Sequence, residues 1–332
     1  MSGRIVVEHF TSSVLAHNPM GDPALRRVPV YLPPGYDADG ARRYPTMYLL
    51  AGFNGRGTVF LNDTPQDETI AQRLDRLVKS GAIRPMIVVM PDCLTRLGGS
   101  QYINSTATGN YEDHLVQELV PWIDARYRTC STRERRAVVG KSSGGYGALM
   151  LAMRHPGVFG LAASHSGDLY FELCYKPAFV KYVAAIDRLG GLDALMANLH
   201  TVRPRDAGYR AVVNTLAMAS CYSPDPAAPH GVDLPFDPHT AEIIDAVWAR
   251  WLAWDPVHLV ETYEQALRSL RLLYLDAGSL DEFHLQYGAR IFCNKLRERG
   301  IPFVHEEFED SHLNIPYRFD VSFAAISRAM SE

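Results

Sequence analysis

The sequence predicts an α/β fold: a mostly parallel sheet with helices on both faces and a helical insertion ahead of its last two strands. Three observations carry this. Short apolar runs, Thr46–Leu50, Met86–Met90, Ala137–Val139 and Leu161–Ala163, alternate with stretches of helical spacing, as βα units do. Loops rich in glycine and polar residues follow these runs, at the carboxyl ends where α/β sheets hold ligands. Between Leu169 and about Glu261 the alternation breaks, and it then resumes through Arg271–Leu275 and Phe303–Phe308.

In chain order, Val28–Leu32 alternates and closes at Pro33-Pro34-Gly35, which reads as a strand and a turn. Thr46–Leu50 suits a strand buried on both faces and opens into Ala51-Gly52-Phe53-Asn54-Gly55. Asp67–Ser80 has helical spacing and stops at Gly81, and Met86–Met90 is the next buried strand. Asp92–Asn110 is a polar loop long enough to suggest a role of its own. Glu112–Tyr127 reads as an amphipathic helix, and Leu161–Ala163 runs into Ser164-His165-Ser166-Gly167-Asp168. Helical pieces Phe179–Arg188 and Ala241–Trp254 flank a proline-rich segment in the insertion. Leu285–Arg299 and a segment from about Phe319 are the last helices. The expected organisation is one domain over 1–332, with a core of about 1–168 and 262–332 and a lid over the site from about 169–261.

Composition narrows the function. The 332 residues are 47% hydrophobic, ample for a buried core, and a net charge of −4 without a long basic run leaves no footprint for nucleic acid. The first residues, MSGRIVVEHF, lack the pattern of a signal peptide, and no apolar run is long enough to span a bilayer. The expectation is a soluble cytoplasmic chain acting on a small molecule, with homo-oligomerisation open. Five scattered cysteines without a C-x-x-C pair fit buried thiols, with a Cys174–Cys221 pair the alternative were the chain exported.

The chemistry centres on Gly140-Lys141-Ser142-Ser143-Gly144. A strand precedes it and a helix, Tyr146–His155, follows, which turns a G-x-S-x-G match into a nucleophile elbow. Ser142 is the expected nucleophile, in a strained turn at the positive end of a helix. A P-loop is excluded because Arg135 stands where its first glycine belongs. A glycine-rich turn without chemistry is the bland alternative.

A serine hydroxyl needs a base, and in the α/β-hydrolase chain order the acid and then the histidine follow on loops at strand ends. His312 follows the last predicted strand, and no histidine comes after it. Asp276 and Asp281 both follow the preceding strand; Asp281, three residues past Gly278, is chosen to orient His312. Backbone N–H groups of Ser143 and of Phe53, beside Gly52, are the expected oxyanion donors. His165 reads as pocket wall or as a satisfied structural histidine. His305 to His312 is dense in ligand types, but Glu309 stands where H-E-x-x-H needs its second histidine, so no metal is expected, and no other cofactor. Trp248, Trp251 and Trp254 could line an aromatic or acyl-chain pocket or pack the insertion onto the body.

These residues together resemble the putative esterase family of the α/β-hydrolase superfamily, the group of esterase D and the enterochelin-esterase-like proteins. The matching pieces are Val30–Tyr36, Tyr48–Phe53, Gly140–Gly147, Ser164–Asp168, Gly278–Phe283 and His312. The resemblance implies the α/β-hydrolase fold with Ser142, Asp281 and His312 as triad, and it implies that Gly99-Ser100-Gln101-Tyr102 and Asn104-Ser105 line the site. Ala51-Gly52 replaces the frequent His-Gly of the oxyanion loop, and Lys141 fills the variable elbow position. The expected activity is hydrolysis of carboxylic esters through an acyl-enzyme. Acyl transfer by the same residues and a catalytically silent ligand-binding homologue are the alternatives.

Overall fold

The structure is a computed structural model and describes residues 2–65, 67–199 and 207–331, so residues 200–206 of the predicted insertion lie outside it. The strands are β1 (Arg4–Thr11), β2 (Leu25–Leu32), β3 (Thr46–Leu50), β4 (Ile87–Val89), β5 (Asn104–Ser105), β6 (Gly109–Asn110), β7 (Arg136–Lys141), β8 (Leu161–His165), β9 (Leu272–Gly278) and β10 (Val304–Phe308). Strands β5 and β6 form a small antiparallel ribbon. The other eight form one sheet in the order β1-β2-β4-β3-β7-β8-β9-β10. Only β2 runs against its neighbours β1 and β4. From β4 to β10 every pairing is parallel.

The apolar runs form central strands because both faces are covered. Tyr48 and Leu50 of β3 pack with Val138 and Ala162 toward the helices Ser143–Arg154 and Leu285–Glu298. Met47 and Leu49 pack on the opposite face with Leu74 and Phe323, from the helices Ile70–Lys79 and Arg318–Ala329. The side chains divide this way because successive residues of a strand point to opposite faces.

Local chemistry sets several boundaries. The helix predicted from Asp67 begins at Ile70 because Thr69 caps it: the Thr69 hydroxyl accepts the Gln72 N–H, and the Gln72 side chain accepts the Thr69 N–H. Strand β1 is an addition to the prediction; as an edge strand it buries little beyond Phe10, so its apolar pattern is weak. The predicted helix Ala241–Trp254 contracts to Asp245–Leu252, and a helix at Ala207–Tyr222 is a further addition. Among the described residues no helix is long and apolar enough to cross a membrane. The five cysteines are free thiols, and Cys174 does not pair with Cys221.

Register brings the site together. Leu50 pairs with Gly140, Lys141 with His165, and His165 with Asp276, so the loops after β3, β7, β8 and β9 leave the same edge of the sheet. The insertion has its own core, including Phe179, Tyr182, Tyr222, Phe236 and Trp251. Tyr146 and Met150 of the helix after β7 belong to that core, and the Tyr146 hydroxyl donates to the Trp254 carbonyl at 3.1 Å. That helix is therefore buried between sheet and insertion.

Candidate active site

Ser142 links β7 to the helix Ser143–Arg154 with φ 58° and ψ −127°, a backbone conformation that costs a non-glycine residue about 1–3 kcal/mol. Two hydrogen bonds hold it there. The Ser142 N–H donates to the His165 carbonyl at 2.9 Å, and the Ser142 carbonyl accepts the Tyr146 N–H at 2.9 Å. The turn closes only because its flanks lack side chains. A Cβ on Gly140 would lie 2.2 Å from the Gly144 carbonyl oxygen, and one on Gly144 would lie 2.3 Å from that of Leu50.

Asp281 and His312 meet across two loops. Asp281 Oδ2 lies 2.8 Å from His312 Nδ1, and Asp281 Oδ1 accepts the Phe283 N–H at 2.9 Å. The residues are 2% and 5% exposed, so the pair is shielded from competing water. The His312 N–H donates to Glu282 Oε2 at 2.8 Å, and the Phe283 ring stands edge-on to the imidazole at 4.9 Å between centroids. With Nδ1 turned to the carboxylate, the Nε2 side of the ring is the one left for a reacting group. Ser142 and His312 line one cavity of about 1750 Å³ together with Gly52, Phe53, Ser143 and Asp168.

The rival acid, Asp276, is engaged elsewhere. Its Oδ1 lies 2.8 Å from His165 Nδ1, and its Oδ2 accepts from Arg318 Nε at 2.9 Å. Burial works to raise its pKa, but His165 and Arg318 outweigh it and hold the carboxyl below the usual range. His165 is buried, with its other nitrogen 2.8 Å from the Ser322 hydroxyl, and it does not line the cavity. It is a satisfied structural histidine. The pocket-wall reading of this residue is corrected.

The two residues expected to donate to an oxyanion, Phe53 and Ser143, follow β3 and β7 and line the cavity. The Phe53 N–H has no acceptor among the described residues, and its loop is braced by the Asn54 N–H donating to the Gly98 carbonyl at 2.7 Å. Ser143 opens the helix after β7, where the first N–H groups have no acceptor within the helix. Gly52 comes close enough that a Cβ there would lie 3.4 Å from Ser142 Cβ. Beside Ser142, burial pushes the Lys141 ammonium below its usual pKa, and Nζ donates to the Leu313 carbonyl at 3.2 Å. Lys141 thus ties the elbow to the loop carrying His312.

Four other expected pocket residues lie outside the lining. Gln101 and Tyr102 both have positive φ, so the backbone turns their side chains inward. Gln101 Nε2 donates to Asp168 Oδ2 at 3.1 Å and to the hydroxyls of Tyr175 and Tyr222 at 3.2 and 2.9 Å. The Tyr102 hydroxyl donates to the Ala51 carbonyl at 2.5 Å and braces the loop after β3. Asn104 accepts the Asp113 N–H at 3.1 Å. Trp251 is 0% exposed in the insertion core and donates to the Ser223 hydroxyl at 2.8 Å. Large ring area and a satisfied N–H make it a core residue. What the sequence reading passed over is Asp168, Glu282, and the insertion residues Leu173, Cys174, Tyr175 and Lys181 that line the cavity. The position of Asp168, next after the loop that ends β8, was the available signal.

Glu172, Asp255 and His258 offer atoms within 4.8 Å of one another, the geometry of a metal cluster. Asp255 is already spent: its oxygens accept the N–H groups of Tyr170, Phe171 and Val257. Its work is capping.

The family model described as Putative esterase matches residues 23–319. Esterase Rv1288 of Mycobacterium tuberculosis (strain ATCC 25618 / H37Rv) is 29% identical over 340 residues, covering 97% of this chain and 59% of that protein. The chain thus spans less than two thirds of the length of this curated relative. A solved ferulic acid esterase superposes with a TM-score of 0.64 at 20% identity, covering 99% of both chains. An S-formylglutathione hydrolase from Staphylococcus aureus superposes with a TM-score of 0.60 at 15% identity, covering 99% of this chain and 100% of that one. Both structures share the α/β-hydrolase fold seen here.

Proposed function

This chain belongs to the putative esterase family, and from that premise we propose that it is a serine carboxylic-ester hydrolase working through an acyl-enzyme. Ser142 Oγ attacks the ester carbonyl while His312 Nε2 takes its proton. Asp281 holds the histidine tautomer and stabilises the imidazolium. The N–H groups of Phe53 and Ser143 receive the negative charge of the tetrahedral intermediate. His312 then returns the proton to the departing alcohol, and water deacylates Ser142 through the same histidine. The insertion over 169–261 acts as a lid that contributes one wall of the cavity.

One observation carries this reading: His312, paired at 2.8 Å with the shielded Asp281 behind it, lines the same cavity as a serine held at φ 58°. The mechanism needs both, since an unpaired histidine would lack the fixed tautomer and an unstrained serine would not be presented. The experiment is hydrolysis of p-nitrophenyl esters from acetate to decanoate by the wild type and by Ser142→Ala. The reading expects turnover by the wild type and a loss on the order of a thousandfold or more in the variant. Equal behaviour of the two proteins would remove Ser142 from the nucleophile's place.

A further inference from the structure

Asp168 follows β8 and lies at the wall of the cavity, yet the ester mechanism does not use it. It is 6% exposed, an unusual place for a carboxyl group that forms no ion pair with any described residue. A fixed set of neutral donors converges on one of its oxygens. Oδ2 accepts from the Tyr175 hydroxyl at 2.8 Å, from Gln101 Nε2 at 3.1 Å and from the Ser143 hydroxyl at 3.4 Å. The Tyr222 hydroxyl, 3.2 Å from that of Tyr175, braces the group from behind. Oδ1 accepts no hydrogen bond from any described residue, and it is not among the buried polar atoms sealed from solvent. One oxygen is anchored and the other is turned to the cavity beside Ser143.

Such an arrangement is costly as pure architecture. Burial raises the pKa of Asp168, against the pull of its hydrogen bonds and of the His312 charge. A packed wall would be served as well by an apolar side chain. A pre-oriented acceptor in a cavity discriminates strongly for ligands that bring a donor, because a ligand without one leaves the carboxyl desolvated and unpaired.

We propose that Asp168 is a substrate-recognition residue whose free oxygen accepts a hydrogen bond from a hydroxyl or ammonium group of the ester, so that the preferred substrates are donor-bearing esters rather than plain alkyl ones. This rests on the esterase reading. Tyr175, Gln101 and Tyr222 hold the carboxyl in place; Gln101 and Tyr222 lie outside the cavity lining and act only by positioning, whereas Tyr175 also forms part of the cavity wall.

The test uses two matched ester pairs, p-nitrophenyl 3-hydroxybutyrate against butyrate for the acyl half, and glyceryl against propyl butyrate for the alcohol half. The ratio of kcat/KM, donor-bearing over plain, is measured for the wild type, Asp168→Asn and Asp168→Leu. A small fluorophosphonate that labels Ser142 reports whether each site is folded. The expected result is a wild-type ratio of about tenfold or more for at least one pair, falling toward unity in Asp168→Leu through KM more than kcat. Should Asp168→Leu not fold, Asp168→Asn, which preserves shape, is read in the same way. A wild-type ratio near unity for both pairs overturns the proposal, and so does a ratio that survives substitution because both members decline together. Those outcomes leave the esterase reading standing. Turnover of no ester by wild-type protein, with Ser142 unlabelled, overturns that reading and this proposal with it.

Discussion

Nδ1 of His312 lies 2.8 Å from Oδ2 of Asp281, although 31 residues, a helix and a strand separate them in the chain. Neighbouring parallel strands bring this about. Phe308 at the end of β10 is in register with Gly278 at the end of β9, so the two loops leave the sheet side by side. The Leu280 N–H donates to the Asp310 carbonyl at 3.0 Å and locks them together.

Replacing Asp281 by Asn tests that relationship. The amide would present the wrong hydrogen-bonding partner to one histidine tautomer, and the imidazolium would lose its counter-charge. A fall in kcat on the order of ten thousandfold is expected, with the fold retained. Steady-state kinetics beside a circular dichroism spectrum decide it, and a loss below about tenfold would return the orienting role to another carboxylate.

Gly144→Ala probes the turn. Its Cβ would meet the Leu50 carbonyl oxygen at 2.3 Å and that of Ala51 at 2.9 Å, and backbone atoms of β3 cannot swing aside. The expected cost is about 1–3 kcal/mol of stability together with slower fluorophosphonate labelling of Ser142. Urea unfolding and labelling rates measure the two effects, and an unchanged protein would mean the elbow tolerates a side chain.

Trp251→Phe separates the two readings of the insertion's tryptophans. Losing the indole leaves the Ser223 hydroxyl without its donor and opens space in the aromatic cluster of Phe179, Tyr175 and Tyr222. The expected result is a loss of about 1–3 kcal/mol, with the rank order of ester chain lengths preserved. A reshuffled chain-length order would restore Trp251 to the pocket.

Stability should fall in mild acid because of His114. Burial lowers its pKa to about 4, against the pull of Glu118 and with the Arg26 charge adding to the effect. Nδ1 lies 3.4 Å from Glu118, and Nε2 is buried without a partner. The unfolded chain takes up this proton near pH 6.5 and the folded one near pH 4, so the unfolded state binds more protons in between. The contribution is complete above about pH 6.5 and is lost as pH falls through that window, by about 3 kcal/mol in all. Urea midpoints from pH 7 to 4 for the wild type and His114→Gln check it. The variant should show the shallower slope.

Much of the fold was legible without coordinates because it is written in local pattern. Thr46–Leu50, Ala137–Val139 and Leu161–Ala163 are almost wholly apolar and buried on every residue, which only a doubly covered strand requires. Gly140 to Gly144 also reads directly, since a strand turning sharply into a helix constrains neighbouring residues. Pocket membership did not read in this way. Gln101 and Tyr102 stand in the loop expected to face the substrate, and positive φ at both turns them under it.

The sequence by itself determined the βα rhythm, the elbow at Ser142 and the order in which an acid and a histidine follow it. These depend on periodicity, on glycine's freedom and on strand ends, all of which act over a few residues. The choice of Asp281 for His312 was already open to a sequence reading, but only the tertiary structure decided that the rival Asp276 belongs to His165 and Arg318. It alone withdrew Trp251 into the insertion's core and set Asp168 at the cavity wall. The reason is physical: a side chain's partner depends on strand register and on which loops share an edge, and contacts between residues far apart in the chain set both.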